Sequence, residues 1–338
     1  MEKEKSDRRR MNVRDLTGPI GILNPGPANS ICDVEGVLVG HSTIDDPDHC
    51  VHTGVTAIVP HSGSIFRDRP RCAIHVANGY GKFIGLSQIE ELGEIETPII
   101  LTNTLAAPIA ASALIDWTLK READPVRSIN PVVGEVNDGR LNDIRNRAVQ
   151  PDHIFEALSA ATQKTSEGCV GAGAASEAYG YKGGIGTASR VFEAGGAKYT
   201  LGCLVCTNQD GHFTPLGRSV PQSPHSSYLK EASRGSIVVV LATDAPMCAR
   251  QLGRLARRAP LGIARSGSAM SHGSGDYAIA FSSVSGTHAP LPEDALSVFF
   301  QAAMEATEEA ILSAMFAAKD KRTDVGFLPR FPFEQHFG

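Results

Sequence analysis

The segment that most constrains the fold of this chain is Ser236-Ile-Val-Val-Val-Leu-Ala-Thr243. Its last seven residues are apolar or β-branched without interruption. A run of this length and composition indicates a strand buried on both faces, because a helix would need ten or more residues. Before it come Gly235 and a polar segment, residues 221–234, that is rich in Ser and Pro. The sequence therefore places a hydroxyl at the first residue of a buried strand, directly after a loop.

This placement of Ser236 has a possible chemical use. Cleavage of the peptide bond between Gly235 and Ser236 would turn the serine into a chain terminus, with its α-amine beside its own hydroxyl. An amine in that position can serve as the base that activates the hydroxyl. Taken alone, Gly235 and Ser236 indicate an ordinary turn before a strand far more often than a cleavage site, so other residues have to decide.

The composition indicates a soluble globular protein. The chain has 338 residues, of which 42% are hydrophobic and 20% charged, and its net charge is −5. A negative net charge argues against nucleic acid as a partner, and no apolar run approaches the ~20 residues of a membrane span. Residues 1–10 are charged and no apolar segment follows them, so no signal peptide is predicted. We expect a cytoplasmic protein with a disordered tail over residues 1–18.

The sequence predicts neither a metal nor a cofactor. Cys203 and Cys206 are spaced like half a zinc site, but they fall in a predicted strand, where positions three apart point to opposite faces. Gly79-Tyr-Gly-Lys-Phe-Ile-Gly85 misses the dinucleotide-binding spacing by one residue. Gly171-Ala-Gly-Ala-Ala-Ser176 follows no clear strand and has serine in place of the third glycine. These glycines indicate close backbone approach or the lining of a cleft.

Strands and helices alternate along the chain without a strict βαβ period. Strands are predicted at residues 34–41, 53–60, 72–77, 98–102, 132–133, 199–207, 237–243 and 277–283. The main helices are predicted at residues 105–120, from Pro151 onward, at 252–259, where Pro260 ends the helix, and at 292–319. This pattern favours sheets buried between helices in a single domain over residues 19–330.

Polar residues next to these strands could complete an acyl-transfer site, which needs a nucleophile, a proton acceptor and donors for the oxyanion. Asn208 follows a strand, and its amide could donate to an oxyanion; the alternative is a turn residue. Ser274 and Asp276 lie two apart, so on a strand they share a face, although turn chemistry also explains them. Glu135, in a polar loop at a strand end, could hold a substrate ammonium or could be a solvated carboxylate.

Nine motifs, spread over residues 19–318, occur in the order found in one known family. They are residues 29–41, 67–68, 78–82, 94–105, 134–143, 182–189, 236–246, 255–265 and 273–276. On these motifs the chain closely resembles the P1 family of self-processing serine aminopeptidases, which comprises L-aminopeptidase/D-amino-acid esterase-amidases and β-aminopeptidases. The resemblance implies an α+β fold, a four-layer αββα sandwich similar to the Ntn-hydrolase architecture but with different connectivity.

The resemblance also implies a role for each polar residue. Self-cleavage between Gly235 and Ser236 would give an α chain (1–235) and a β chain (236–338), assembled as a tetramer of αβ units. Ser236 would be the nucleophile and Asn208 an oxyanion-hole donor. Ser274 and Asp276 would orient and activate Ser236, with Asp276 at a position where some β-aminopeptidases carry Glu.

The implied substrate is a short peptide, amide or ester with a free amino terminus, hydrolysed through an acyl-enzyme. Glu135 would bind its amine, and Asn137 stands where some family members carry a tyrosine near the amine site. One alternative is an ornithine acetyltransferase-like enzyme, from a group that shares the fold and self-cleavage but has members with a threonine nucleophile, so that Ser236 counts against it. The other is an uncleaved, non-catalytic homologue that kept the fold.

Overall fold

The chain forms fourteen strands and eight α-helices in the residues described by the computed structural model, which are 11–230, 235–284, 286 and 288–338. The strands are β1 (Leu38–Asp46), β2 (Val51–Val59), β3 (Cys72–Gly79), β4 (Phe83–Ile84), β5 (Ile99–Asn103), β6 (Val132–Val136), β7 (Glu177–Ala178), β8 (Tyr181–Lys182), β9 (Ile185–Ala194), β10 (Ala197–Asn208), β11 (Ser236–Thr243), β12 (Gly275–Ser282), β13 (Lys321–Arg322) and β14 (Phe327–Leu328). The helices are α1 (Val13–Thr17), α2 (Leu86–Leu92), α3 (Ala107–Arg121), α4 (Pro151–Ser159), α5 (Ala249–Ala256), α6 (Ala259–Arg265), α7 (Leu296–Ala317) and α8 (Phe333–Phe337).

Two five-stranded sheets lie face to face between layers of helices. The first sheet has the order β3-β12-β11-β10-β9, and the second has the order β1-β2-β5-β6-β4. One apolar cluster fills the space between the sheets, a second lies between the first sheet and α5, α6 and α7, and a third lies between the second sheet and α3 and α4. The predicted four-layer αββα arrangement and the α+β class are confirmed.

Strand β11 runs through the middle of the first sheet. It pairs antiparallel with β10 and parallel with β12, and all eight of its residues are buried. Val238 belongs to the core between the sheets, whereas Ile237 belongs to the core under the helices. Strand β10 alternates in the same way, with Cys206 between the sheets and Cys203 under the helices. These two thiols therefore point to opposite faces, as predicted.

Among the longer elements, the structure differs most from the sequence-based expectation at β9 and at the helix predicted over residues 252–259. Strand β9 was not predicted, although it forms the whole of one sheet edge. The single helix predicted at residues 252–259 is two helices, α5 and α6, and Pro260 lies in the first turn of α6 instead of ending a helix. Proline is tolerated at that position because the first amide groups of a helix have no intrahelical partner.

The N-terminal segment is ordered in part of the range predicted to be a disordered tail. Residues 13–17 form α1, Val13 is buried, and Arg14 forms an ion pair with Glu309 of α7. The tail prediction is therefore wrong for these residues, because contacts with a helix nearly 300 residues away order them. Residues 1–10 lie outside the described residues. None of the helices in the described ranges has the length and apolar character that crossing a membrane requires.

Candidate active site

Strand pairing brings the predicted site residues together where the central strands of the first sheet end. Asn208 ends β10 and stands opposite Ser236, which begins β11. Ser236 in turn stands opposite Gly275, the first residue of β12. Three consecutive strands therefore present their polar ends in a single row. Because the strands are buried and paired along their length, these ends have fixed positions.

The side chain of Asn208 is directed at the hydroxyl of Ser236. Its Nδ2 donates to Ser236 Oγ at 3.3 Å, and its Oδ1 accepts a hydrogen bond from the backbone N–H of Glu177 at 2.9 Å. Because the N–H of Glu177 needs an acceptor, the side-chain oxygen of Asn208 must lie on that side, and its NH2 group must face the serine. Ser236 and Asn208 are only 4% and 6% exposed. Asn208 is thus an oriented hydrogen-bond donor beside a buried hydroxyl.

Ser274 and Asp276 form a buried pair next to Gly235. Ser274 Oγ donates to Asp276 Oδ1 at 2.7 Å, and in the described residues Asp276 Oδ2 has no hydrogen-bond partner. Burial raises the pKa of Asp276 to about 7, and the hydrogen bond from Ser274 opposes that rise. A Cβ added to Gly235 would lie 3.3 Å from Ser274 Oγ, so the pair adjoins the bond between Gly235 and Ser236.

Asn78 holds the loop that carries Ser274. Its Nδ2 donates to the backbone carbonyls of Ser271 and His272 at 3.0 Å and also to that of Ser274. Asn78 lies on β3 directly opposite Asp276. The sequence analysis included Asn78 in a motif but gave it no role. Its position near the polar end of a strand, like that of Asn208, was the signal that could have identified it.

A cavity of about 190 Å³ adjoins the row of strand ends. It brings together four of the predicted residues: Gly235, Ser236, Glu135 and Asn137. The other lining residues are Tyr80, Gly81, Lys82, Thr104, Gly273 and Gly275. The cavity therefore lies between the first sheet, which supplies Ser236, and β6 of the second sheet, which supplies Glu135.

Glu135 lies on a buried strand and not in the polar loop where the sequence placed it. Strand β6 continues to Val136 because it pairs in parallel with β5, with Glu135 opposite Thr102. Glu135 is 2% exposed; its Oε1 accepts a hydrogen bond from Lys82 N–H at 2.8 Å, and its Oε2 accepts one from the Thr104 hydroxyl. The alternative of a solvated loop carboxylate is therefore wrong.

The surroundings of Glu135 suit it to binding a cation. Both observed donors to its carboxylate are neutral, and none of the ion pairs among the described residues includes it. A carboxylate has about four acceptor positions, so two remain after these two hydrogen bonds. A buried charge is stable only when it is paired or well hydrogen-bonded. An ammonium group in the cavity would supply the missing positive charge.

Asn137 and Tyr80 lie at the open side of the cavity. Asn137 is exposed, and its Oδ1 accepts a hydrogen bond from Gly139 N–H at 3.0 Å. The exposed ring of Tyr80 lies edge-on to His272, with ring centroids 5.9 Å apart. The sequence analysis gave no role to Tyr80, Lys82 or Thr104.

Close backbone packing forms one wall of the cavity. A Cβ added to Gly275 would lie 2.7 Å from Gly81 Cα, so only glycine allows β12 and the loop after β3 to approach this closely. The site thus combines a hydroxyl, an oriented amide, a buried hydroxyl–carboxylate pair and a carboxylate facing a cavity. These are the components of an acyl-transfer site that accepts a cationic substrate.

Similar proteins carry the same fold and a common type of activity. Residues 29–326 match the model of peptidase family S58. The beta-peptidyl aminopeptidase BapA of Sphingosinicella microcystinivorans is 37% identical, over 90% of this chain and 85% of its own. The structure of a Burkholderia sp. beta-aminopeptidase superposes with a TM-score of 0.89 at 35% identity, covering 97% of this chain and 99% of that one.

A further solved structure extends the similarity to another type of substrate. The L-aminopeptidase D-Ala-esterase/amidase of Ochrobactrum anthropi, described as a variant of the Ntn-hydrolase fold, has a TM-score of 0.85 and 35% identity to this chain. That match covers 96% of both chains. The chain therefore belongs to peptidase family S58 and is an aminopeptidase, a hydrolase that acts on peptide bonds.

Proposed function

We propose that the chain cuts itself after Gly235 and that Ser236, as the new N-terminal residue, removes the first residue from short peptides, amides or esters. The observation that carries this proposal is the contact between the oriented amide of Asn208 and the hydroxyl of Ser236, a residue that lines the same cavity as Glu135. In this proposal the cavity admits a free amino group on one side and presents the neighbouring carbonyl to a nucleophile on the other.

In the proposed self-cleavage, Ser236 Oγ attacks the carbonyl carbon of Gly235. The C–N bond breaks, the hydroxyl proton goes to the leaving amine, and an ester joins Gly235 to Ser236 Oγ. Water then hydrolyses this ester to a carboxylate on Gly235 and a free hydroxyl and amine on Ser236. Two features support this step: the Gly235 carbonyl accepts a hydrogen bond from Gly275 N–H at 3.3 Å, and Ser274 Oγ lies beside Gly235.

In the aminopeptidase reaction, the substrate ammonium pairs with Glu135 and the scissile carbonyl lies at Ser236 Oγ. The α-amine of Ser236, with a reference pKa of roughly 7.7–8.0, takes the hydroxyl proton and gives it to the leaving amine. Asn208 Nδ2 stabilises the oxyanion of the tetrahedral intermediate. Water then releases the amino acid from the acyl-enzyme and regenerates the Ser236 hydroxyl.

The buried pair of Ser274 and Asp276 orients the new amine in this mechanism. The ionised carboxylate of Asp276 accepts the Ser274 proton, which leaves the lone pairs of Ser274 Oγ free to accept a hydrogen bond from the amine of Ser236. This fixes the direction of the amine lone pair toward the Ser236 hydroxyl. The short Ser274–Asp276 hydrogen bond and its position beside Gly235 support this role.

The names of the relatives point to two kinds of substrate. Two of them are named for β-amino-acyl substrates and one for L-α-amino-acyl and D-alanyl substrates. A β-amino acid places one more carbon between its amine and its carbonyl, so the distance from Glu135 to Ser236 selects between them. Hydrolysis rates for L-α-, D-α- and β³-aminoacyl anilides would identify the preferred class.

Mass spectrometry of the purified protein tests the proposal directly. We expect the wild-type chain to give two fragments, residues 1–235 and 236–338, and to hydrolyse aminoacyl anilides. The Ser236→Ala variant should stay whole and inactive, whereas Ser62→Ala, at an exposed loop position, should match the wild type in both assays. An unbroken wild-type chain with full activity, or an active Ser236→Ala variant, would overturn the proposal.

A further inference from the structure

Asp210 is a buried carboxylate that takes no part in the acyl-transfer steps described above. It follows Asn208 by two residues and is 6% exposed. Its Oδ1 accepts hydrogen bonds from the Ser226 hydroxyl at 3.2 Å and from Gly211 N–H at 2.9 Å. Its Oδ2 accepts a hydrogen bond from the Ser227 hydroxyl at 3.0 Å. Both serines belong to the segment that leads to the proposed cleavage position.

The backbone of Asp210 also packs against the cleavage position itself. A Cβ added to Gly235 would lie 2.9 Å from Asp210 N and 3.3 Å from Gln209 Cα. Among the described residues of the incoming chain, Asp210 therefore contacts Ser226, Ser227 and Gly235. In the described part of the chain no other buried carboxylate combines a hydrogen bond to the 226–227 segment with a contact to Gly235.

These contacts have a consequence for the geometry of self-cleavage. Attack on a carbonyl is efficient only when the reacting atoms are held about 3–3.5 Å apart and correctly aligned. A chain segment fixed at its start has fewer conformations to lose when its end is brought to the reacting atom. On the basis of the proposed function, we propose that Asp210 is a positioning residue for self-cleavage, which holds Ser226 and Ser227 so that the Gly235 carbonyl faces Ser236 Oγ.

Other anchors of the same segment lie away from Gly235 and provide controls. Ser223 Oγ donates to the Gly180 carbonyl at 2.7 Å, and Arg140 Nη2 donates to the His225 carbonyl at 3.0 Å. Neither contact involves a residue packed against Gly235. Loss of the Ser223 hydrogen bond therefore measures the effect of loosening the segment without disturbing Asp210.

The hydrogen bonds of Ser226 determine which substitution at position 210 should be tolerated. Ser226 Oγ already accepts hydrogen bonds from Tyr228 N–H and from the Gln222 side chain, both at 3.1 Å, so its proton is committed to Asp210. Asparagine at position 210 keeps one oxygen for Ser226 and can donate its amide to Ser227, whose hydroxyl can rotate. Asp210→Asn should therefore retain the hydrogen bonds to Ser226 and Ser227, and Asp210→Ala should lose them.

The experiment follows the conversion of newly made precursor into two fragments by cell-free translation and denaturing gels. We expect Asp210→Ala to slow conversion at least about tenfold and the Ser226→Ala/Ser227→Ala double variant to slow it similarly. Combining all three substitutions should be no slower than Asp210→Ala, since residues that act through one contact are not additive. Asp210→Asn and Ser223→Ala should stay within about threefold of the wild type.

Different outcomes would overturn different conclusions. If the wild-type chain is cleaved, any one of three results would overturn the role of Asp210 alone. These results are cleavage of Asp210→Ala at the wild-type rate, additive slowing in the triple variant, and an Asp210→Asn variant as slow as Asp210→Ala. A wild-type chain that stays whole would overturn the proposed self-cleavage, and this inference with it. Melting curves in the Ser236→Ala background check that each variant folds. If Asp210→Ala is unfolded, the test becomes the cleavage rate of the Ser226→Ala/Ser227→Ala double variant compared with that of Ser223→Ala, and equal rates would overturn the role of Asp210.

Discussion

The two contacts of Asn208 give its side chain a single orientation, and this orientation makes a quantitative prediction. Asn208→Ala removes the proposed donor to the oxyanion but leaves Ser236 in place. We expect kcat per mole of processed enzyme to fall by about 10²–10³, which corresponds to about 2.7–4 kcal/mol, with little change in KM. Asn146→Ala, at an exposed asparagine, is the control and should match the wild type. Near-normal turnover of Asn208→Ala would remove Asn208 from the mechanism.

The raised pKa of Asp276 predicts how activity depends on pH. In the proposed mechanism the ionised carboxylate of Asp276 orients the Ser274 hydroxyl, because it is a stronger hydrogen-bond acceptor than the neutral acid, and burial raises its pKa to about 7. Activity should therefore fall as the pH drops through about 7, well above the ordinary value of 3.8 for an aspartate. A pH–rate profile of kcat/KM that stays flat down to pH 5 would contradict this.

The same shift predicts an opposite trend for stability. Because the pKa of Asp276 is higher in the folded than in the unfolded chain, its contribution to stability is fully present below about pH 4 and is lost as the pH rises through about 7. Asp276→Asn removes this titration. In the Ser236→Ala background, its melting temperature should exceed that of the parent at pH 8, and the difference should shrink toward pH 5.

Single elements show which local structure can be predicted from the sequence. Strand β11 and helix α7 were predicted nearly to their observed bounds. Strand β11 is an uninterrupted apolar run, and α7 repeats its apolar residues with helical spacing over many turns. Strand β9 has no such pattern. One of its faces carries the small residues Gly186 and Ala188 against α7, and the other carries hydroxyl groups that bond to the N-terminal segment. Its environment comes from distant elements, so its own sequence does not reveal it.

The candidate site shows the same limit. Polar residues at strand ends were visible in the sequence. The structure brings Asn208, Ser236, Ser274 and Asp276 together at the same end of the central strands of the first sheet. The placement of Glu135 was wrong because Gly134 interrupts a short apolar run, and only pairing with β5 extends the strand. The donors to Glu135 could not be predicted, since they come from separate segments that the fold brings together.

Close packing between β9 and α7 predicts a strongly destabilising substitution. A Cβ added to Gly186 would lie 1.9 Å from the Ala310 carbonyl oxygen and 2.6 Å from Ala314 N. Because backbone atoms cannot move aside locally, Gly186→Ala should lower the free energy of unfolding by about 3 kcal/mol or more, the upper part of the range for overpacking. Denaturant unfolding in the Ser236→Ala background measures this.

Gly253 provides the matched control for Gly186. It lies in α5, and a Cβ there would make an ordinary 3.6 Å contact with the Ala73 side chain. Gly253→Ala should raise stability by about 0.5–1 kcal/mol, because alanine loses less backbone entropy in a helix. Equal effects of the two substitutions would show that contact with α7 does not constrain β9.

In the molecule as a whole, a buried charge network joins the N-terminal segment to the C-terminal part of the chain. Arg190 is fully buried and pairs with Glu305 at 3.0 Å and Glu309 at 2.8 Å, both on α7. Its Nη2 also donates to the carbonyl of Ile20 at 2.7 Å, and Arg14 binds Glu309. The network therefore links residues before and after position 236 through contacts that do not depend on the bond at that position.

Removal of Arg190 should be costly because it takes away the arginine that pairs with buried Glu305 and one of the two arginines that pair with buried Glu309. We expect Arg190→Met to lower the free energy of unfolding by about 3–5 kcal/mol. Arg330→Met, which removes an exposed ion pair with Glu334, should cost at most about 1 kcal/mol. Denaturant unfolding of both variants in the uncut Ser236→Ala background measures the difference, and similar small losses would show that the network contributes little.

The arrangement of layers was the part of the fold least accessible from local sequence. Periodicity indicated sheets between helices, but the assignment of four layers came from the resemblance to a family. Strands β5 and β6 read as short apolar runs much like β11, although they belong to the other sheet. Which sheet a strand joins depends on pairing partners many residues away, and no residue within the strand specifies them.

For the proposed cleavage after Gly235, the position of β11 and β12 inside the first sheet determines whether folding or cleavage comes first. These two strands come from the piece after Gly235, and their flanking neighbours β10 and β3 come from the piece before it. Neither piece alone can complete this sheet. Each would therefore expose unpaired strand edges, which promote aggregation with other chains. A gene divided at codon 236 is therefore expected to yield insoluble halves. If the chain cuts itself as proposed, the polypeptide has to be synthesised in one piece and folded before the bond after Gly235 is cleaved.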